Sequence, residues 1–197
     1  MQELTFITKQ GNSIRDVFDD LAALRIAVFH DYPYLYEGTP AYEKEYLQPY
    51  VRSERSFLFA VYHDQQMVGA TTCIPLLDET AEIRQPFEEA GYALDTLFYF
   101  GESILLNPYR GKGLGHRFFD EREAHARSFG TYRKACFFSV EREPNHPQKP
   151  VNYRPNDEFW KKRGYVKQAQ LQTTLSWPDI GQTHSTPKPL VCWMRDL

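Results

Sequence analysis

Residues 97–129 most restrict what this chain can fold into. An apolar run from Leu97 to Leu106 is followed by Asn107-Pro108-Tyr109-Arg110-Gly111-Lys112-Gly113-Leu114-Gly115. A helical pattern then starts at about Gly113 and runs to Phe129, where Gly130 ends it. The order predicts a strand, a glycine-rich turn and a helix that begins inside the turn. The first N–H groups of a helix lack internal partners and lie at the positive end of its dipole. Glycines at 111, 113 and 115 leave those donors without Cβ cover, and Arg110 and Lys112 add positive charge. Together these features make a seat for a pyrophosphate.

Two common phosphate-binding patterns do not fit it. No glycine opens a G-x-x-x-x-G-K-[ST] spacing, and G-x-G-x-x-G fails because His116 stands where its last glycine belongs. The pattern [Q/R]-x-x-G-x-[G/A] does fit, as Arg110, Gly113 and Gly115. Further on, after an apolar strand from Ala135 to Val140, comes Phe159-Trp160-Lys161-Lys162-Arg163-Gly164-Tyr165. On these two motifs and their order the chain resembles the GNAT acetyltransferase superfamily, along nearly its whole length.

The resemblance implies an α+β fold. Its mixed, mostly antiparallel central sheet has six to seven strands flanked by about four helices, in a single domain over residues 1–197. It implies acetyl-CoA as the acyl donor, with no metal. The main chain of Leu105 and Leu106 would run beside the pantetheine arm. Arg110, Gly111, Lys112, Gly113, Leu114, Gly115 and His116 would hold the pyrophosphate, and a backbone N–H near Leu106 would polarise the thioester carbonyl. No cysteine stands at a nucleophile position, so the acetyl group would pass directly to a primary amine of a small-molecule or amino-acid-like acceptor. The alternative is a non-catalytic acyl-CoA-binding module.

Direct transfer needs a base, because an alkylammonium cannot attack until it loses a proton. Glu102 is the candidate: side chains at 102, 104 and 106 share one strand face, and relatives use a glutamate on this strand. An acceptor-binding or paired buried carboxylate is the other reading of that residue. Trp160 occupies the position of the family's acidic tyrosine and has no useful proton to give. Tyr153 is then a candidate acid or cofactor contact, or else an ordinary core tyrosine. Tyr32, Tyr34 and Tyr36, with Asp31 and Glu37, form either an acceptor lining or a packed helix turn. His146 is either a proton shuttle or a loop-ordering side chain. Lys161-Lys162-Arg163 reads as a solvated helix face.

The rest of the chain supplies ordinary elements. Ile14, Val17, Phe18, Leu21, Leu24 and Val28 recur at helical spacing behind a Ser13–Asp16 capping signal, and residues 41–52 read as a second helix. Ser56–His63 and Met67–Pro75 read as a hairpin, Ala81–Ala90 as a helix closed by Gly91, and Asn156–Arg163 as a short helix. Strands are expected over Gln168–Trp177 and Pro189–Arg195.

Composition excludes several classes. Against 26 acidic residues stand 23 Lys and Arg, a net charge of −3, which speaks against nucleic acid as a partner. The longest apolar run, Phe57 to Tyr62, is far too short to cross a membrane. Three scattered cysteines and no secretory leader point to the cytoplasm. A homodimer stays open.

Overall fold

The structure is a computed structural model that describes residues 3–197. Its strands are β1 (Leu4–Gln10), β2 (Phe57–His63), β3 (Gln66–Pro75), β4 (Leu97–Leu105), β5 (Lys134–Val140), β6 (Val166–Trp177) and β7 (Thr186–Asp196). They form one sheet in the order β1-β2-β3-β4-β5-β7-β6, and only the β4–β5 pair is parallel. The helices are α1 (Phe18–Phe29), α2 (Pro40–Tyr46), α3 (Gln48–Arg52), α4 (Ala81–Glu89), α5 (Leu114–Ser128) and α6 (Asp157–Lys162). The mixed α+β sheet is the expected one.

Three local differences have physical causes. The helix read over 41–52 is two, because Pro49 cannot donate to a continuing helix and instead opens α3. β1 carries no apolar alternation, since both its faces are largely solvated at the sheet edge, yet it pairs with β2 from Leu4–His63 to Gln10–Phe57. A 3₁₀ segment over Gly11–Val17 precedes α1. Ser13 Oγ there accepts the N–H of Gln10 at 3.0 Å, while Asp16 pairs with Lys9 at 2.8 Å rather than capping.

The sheet has a core on each face. Leu21, Leu24, Ile74, Leu97, Tyr99 and Ile104 pack on the side of α1, and Phe98, Phe100, Phe118 and Phe119 on the side of α5. Along β4 the residues therefore alternate until Phe100, as strand geometry requires. A register shift against β3, between Thr71 and Cys73, then puts an extra residue into β4. Its effect is to turn Glu102 and Ile104 to the α1 side, where regular alternation would have pointed Glu102 at α5.

Gly101 makes this bulge possible. A Cβ there would lie 1.9 Å from Tyr50 Oη and 2.8 Å from Thr72 Oγ1, so only glycine lets the tyrosine approach. Beyond the bulge β4 and β5 separate: they pair only from Leu97–Lys134 to Tyr99–Cys136.

Gly101→Ala should destabilise the protein by about 1–3 kcal/mol through overpacking, and adding Tyr50→Phe should recover part of that loss. Denaturant unfolding of the single and double variants measures both; equal stabilities of Gly101→Ala and the native chain would refute the contact.

Candidate active site

The glycine-rich turn forms as its sequence dictates. Gly111 and Gly113 have φ of 74° and 84°, a left-handed region that costs L-residues strain, and Gly113 is the residue from which α5 starts. His116 and Arg117 donate to Gly113 O at 3.0 and 3.2 Å, the first bonds of the helix. Among the described residues, the N–H groups of Gly111, Lys112 and Gly113 meet no backbone acceptor, and those of Leu114 and Gly115 precede the first helical bond. Five consecutive donors thus open at the positive end of a 15-residue helix. At Gly115 a Cβ would stand in ordinary contact, 3.6 Å, with Phe159 of α6, whose ring His116 meets edge-on at 4.9 Å. Lys112 lies over the Tyr109 ring, and Arg110 Nε donates to Leu105 O at 2.9 Å.

A gap between β4 and β5 leads to this turn. The Leu106 N–H is committed to Val68 O at 2.9 Å, on the β3 side. Alternation along the strand turns the Leu105 and Ser103 N–H groups the other way, toward the gap. Leu105, rather than Leu106 itself, therefore offers a main-chain donor there.

Glu102 stands where the gap begins and is 2% exposed. Its Oε1 is paired with Arg25 Nη1, its Oε2 accepts the Thr72 hydroxyl, and its N–H donates to Thr72 Oγ1 at 2.9 Å. Arg25 bridges it to Glu43, which is fully buried, and the guanidinium lies 4.1 Å from the Tyr46 ring centre. Burial works against the Arg25 charge, but Glu102, Tyr46 and Glu43 outweigh it and hold the pKa above the ordinary arginine value. From the other face Arg122, also buried, donates to the Glu102 carbonyl at 3.2 Å while lying 4.4 Å from the Phe100 and Phe119 ring centres. Burial lowers its pKa. The bulge is thus gripped from both sides by arginines.

The sequence motifs do not contain Arg25, Glu43, Tyr50 or Glu79. Arg25 does fall in phase with Leu21 and Val28, so a charge on the apolar stripe of α1 was its one sequence signal. Arg122 breaks the stripe of α5 in the same way.

The side expected to take the acceptor is assembled less completely. Tyr32 packs edge-on against Tyr153 at 4.7 Å and lies 5.8 Å from the His146 ring. Burial is the main cause that raises the Tyr153 phenol above its usual value, and Tyr34 is pushed up to about 12 for the same reason. Tyr34 packs on Phe29 and Trp177, and Tyr36 is buried beside Tyr42, so both belong to the packed turn. Asp31 accepts from Asn107 at 3.2 Å, and Glu37 from the Gly181 N–H at 3.2 Å. His146 Nδ1 accepts the Gln148 N–H at 3.2 Å, ordering its loop. Trp160 packs on Phe137 and Trp193. Lys161 pairs with Glu158, and Arg163 with Asp120 and Glu123.

The three cysteines are buried and unpaired, and burial raises the thiols of Cys73, Cys136 and Cys192. None has the low pKa of a nucleophile. Among the described residues no His, Cys, Asp and Glu group is arranged to hold a metal ion. No described helix is long and apolar enough to cross a membrane.

Glu79 is a further buried carboxyl, pushed up to about 7, chiefly by burial, although the Thr80 N–H and the Tyr50 hydroxyl favour its charge. A carboxyl raised above its ordinary 4.5 binds its proton more tightly folded than unfolded. Its contribution is therefore fully favourable below about 4.5 and is lost as pH rises through about 7. Glu79→Gln should be more stable than the native chain at pH 8 by roughly 1–3 kcal/mol, the difference closing toward pH 5. Urea unfolding at the two pH values tests this; a difference independent of pH would contradict it.

The sequence model of the Acetyltransferase (GNAT) family matches residues 21–152. A search of curated protein sequences gives no match. Among solved structures, an acetyltransferase from Thermus thermophilus is similar with TM-score 0.57 and 18% identity, over 100% of both chains. Ribosomal-protein-alanine N-acetyltransferase from Brucella melitensis is similar with TM-score 0.59 and 13% identity, over 97% of this chain and 99% of that one. An aminoglycoside 6'-N-acetyltransferase complexed with coenzyme A gives TM-score 0.56 and 14% identity, over 96% of each. These identities speak to the fold; the family match, which takes in most of α1, the β4–β5 gap and the glycine turn, goes further, and the chain belongs to the GNAT acetyltransferase family.

Proposed function

We propose that the chain is a single-domain N-acetyltransferase that moves the acetyl group of acetyl-CoA directly to a primary amine of a small-molecule or amino-acid-like acceptor. The observation that carries this reading is the parting of β4 from β5 after the Tyr99–Cys136 pair, with a gap that ends at the open amides of Gly111–Gly115. Residues and ligand fit: coenzyme A carries an extended, hydrogen-bonding arm and a diphosphate, and the gap offers strand-edge donors followed by a helix N-terminus. Bound acetyl-CoA supplies the activated thioester. Arg110 would release Leu105 O to reach the diphosphate, and Leu105 N–H is the donor for the thioester carbonyl.

The buried, proton-bearing cysteines support direct transfer over an acyl-enzyme. Glu102 accepts the proton of the acceptor ammonium at the mouth of the gap, with Arg25 and Thr72 fixing its carboxylate. Tyr153, a neutral phenol beside Tyr32, lines the acceptor side and is the candidate donor to the leaving thiolate. Free thiols in the core suit a reducing compartment such as the cytoplasm.

One observation favours a second reading. Trp160 stands at the family's tyrosine position and packs into the core, so a module that binds acyl-CoA without transfer would keep the same gap.

Thiol release from acetyl-CoA with a panel of amines separates the two: acceptor-dependent release is expected, and tight cofactor binding with none would establish the module. Glu102→Gln should lower kcat at neutral pH at least about tenfold with little change in cofactor Kd; equal losses in both would remove the base role. Gly113→Ala should weaken coenzyme A binding about tenfold, because a left-handed residue with a side chain disturbs the donor row. Unchanged affinity would count against the turn.

A further inference from the structure

Glu102 poses a problem for repeated turnover. At 2% exposure, and with donor and acceptor filling the mouth of the gap, it has no open route to water during the reaction, and any proton it keeps weakens its pair with Arg25. The proton needs another way out. Behind Glu102, Thr72 Oγ1 donates to Oε2, and the Tyr50 hydroxyl presses on the same Gly101 face as Thr72 Oγ1. Tyr50, 1% exposed, donates in turn to Glu79 Oε1 at 2.9 Å. Glu79 lines a recess of about 650 Å³ on the far side of the molecule from the glycine turn.

We propose that this line of groups, Glu102–Thr72–Tyr50–Glu79, carries the acceptor amine's proton through the core to the recess. The proposal rests on the acetyl-transfer reading above. The step balances without another reactant. An ammonium N–H bond breaks and a proton joins Glu102; Glu102 protonates Thr72 Oγ1 as Thr72 passes its own proton to Tyr50 Oη. Tyr50 in turn gives its phenolic proton to the Glu79 carboxylate. The freed amine attacks, and Glu79 later gives its proton to water in the recess. Thr72 Oγ1 and Tyr50 Oη are not hydrogen-bonded to each other, so the Thr72–Tyr50 step requires the two hydroxyls, which meet at the Cβ position of Gly101, to approach across it.

The charges around Glu79 suit the end of such a line. Inward it faces Glu102 of β4 and Arg25 of α1, with the neutral phenols of Tyr46 and Tyr99. Outward the recess presents Arg52, Glu54, Arg55, Asp78, Asp95 and Tyr132. With its carboxyl pushed up to about 7, Glu79 takes and loses a proton at neutral pH, as a relay end must.

The test is the pH dependence of kcat for the native protein, Glu79→Gln and Tyr50→Phe, with two amine acceptors of different basicity and in H₂O and D₂O. The native profile should rise through a limb near pH 7 that stays in place when the acceptor is changed. Both variants should lose that limb and fall about tenfold in kcat at pH 7, with KM for acetyl-CoA within about twofold and a changed solvent isotope effect. Native-like profiles in both variants, or a limb that follows the acceptor's own pKa, would overturn the relay while leaving acetyl transfer standing. If the native protein binds coenzyme A but releases no thiol with any amine, the transfer reading fails first and the relay with it. Near-ultraviolet circular dichroism checks that both variants are folded, and lower activity with the limb intact would assign the two residues a packing role, which also overturns the relay.

Discussion

β4 and β5 share three residue pairs and then diverge, and the proposed chemistry depends on that divergence. Strand edges inside a sheet carry N–H and C=O groups that ask for partners. Leaving such edges open in the middle of a seven-stranded sheet is sensible only where another extended chain of donors and acceptors can lie between them. The extra residue at Gly101 starts the divergence, and the Tyr50 hydroxyl packed on its α-carbon leaves no room for a side chain. The bulge also changes which way β4 faces, so that a carboxylate at 102 arrives on the α1 side.

Holding that bend in place involves unusual electrostatics. Three charges, Glu43, Arg25 and Glu102, are buried together, and Arg122 is buried on the opposite face with its guanidinium between two phenyl rings. Replacing buried ion pairs by apolar groups is often neutral or stabilising, so stability alone does not account for them. Their placement does. Arg25 fixes the carboxylate end of Glu102 while Arg122 fixes its carbonyl, and one residue is thereby held at both ends. Breaking either side would leave a buried charge without its partner, and the cost of that is what makes the geometry rigid.

What was legible in the sequence follows from the range of the interactions. The glycine turn could be read because its conformation is decided by residues 110–115 themselves: glycine is needed for φ near +80°, and helix donors open wherever a helix begins. The β2–β3 hairpin showed itself through a run apolar at each position, which only a strand covered on both faces tolerates. β1 could not be read, because an edge strand bathed on both sides carries no pattern and is recruited by β2, about fifty positions away. Glu102 was visible as a carboxylate on the right strand. Its partner Arg25 lies 77 positions earlier, and nothing local in either segment specifies the pair. Glu79 was invisible for a related reason, since its raised carboxyl comes from burial in the folded core, which nothing local in the sequence specifies.

The central claim is that the open amides at the start of α5 and along the β4 edge receive coenzyme A. Following backbone amide resonances of the isotope-labelled protein during titration with coenzyme A tests it residue by residue. The account predicts large shifts at Gly111, Lys112, Gly113, Leu114 and Gly115, together with Leu105 and Ser103, and little change at Leu106, whose N–H already serves Val68. Binding that leaves the glycine amides unmoved, or that perturbs only the distant recess beside Glu79, would contradict it.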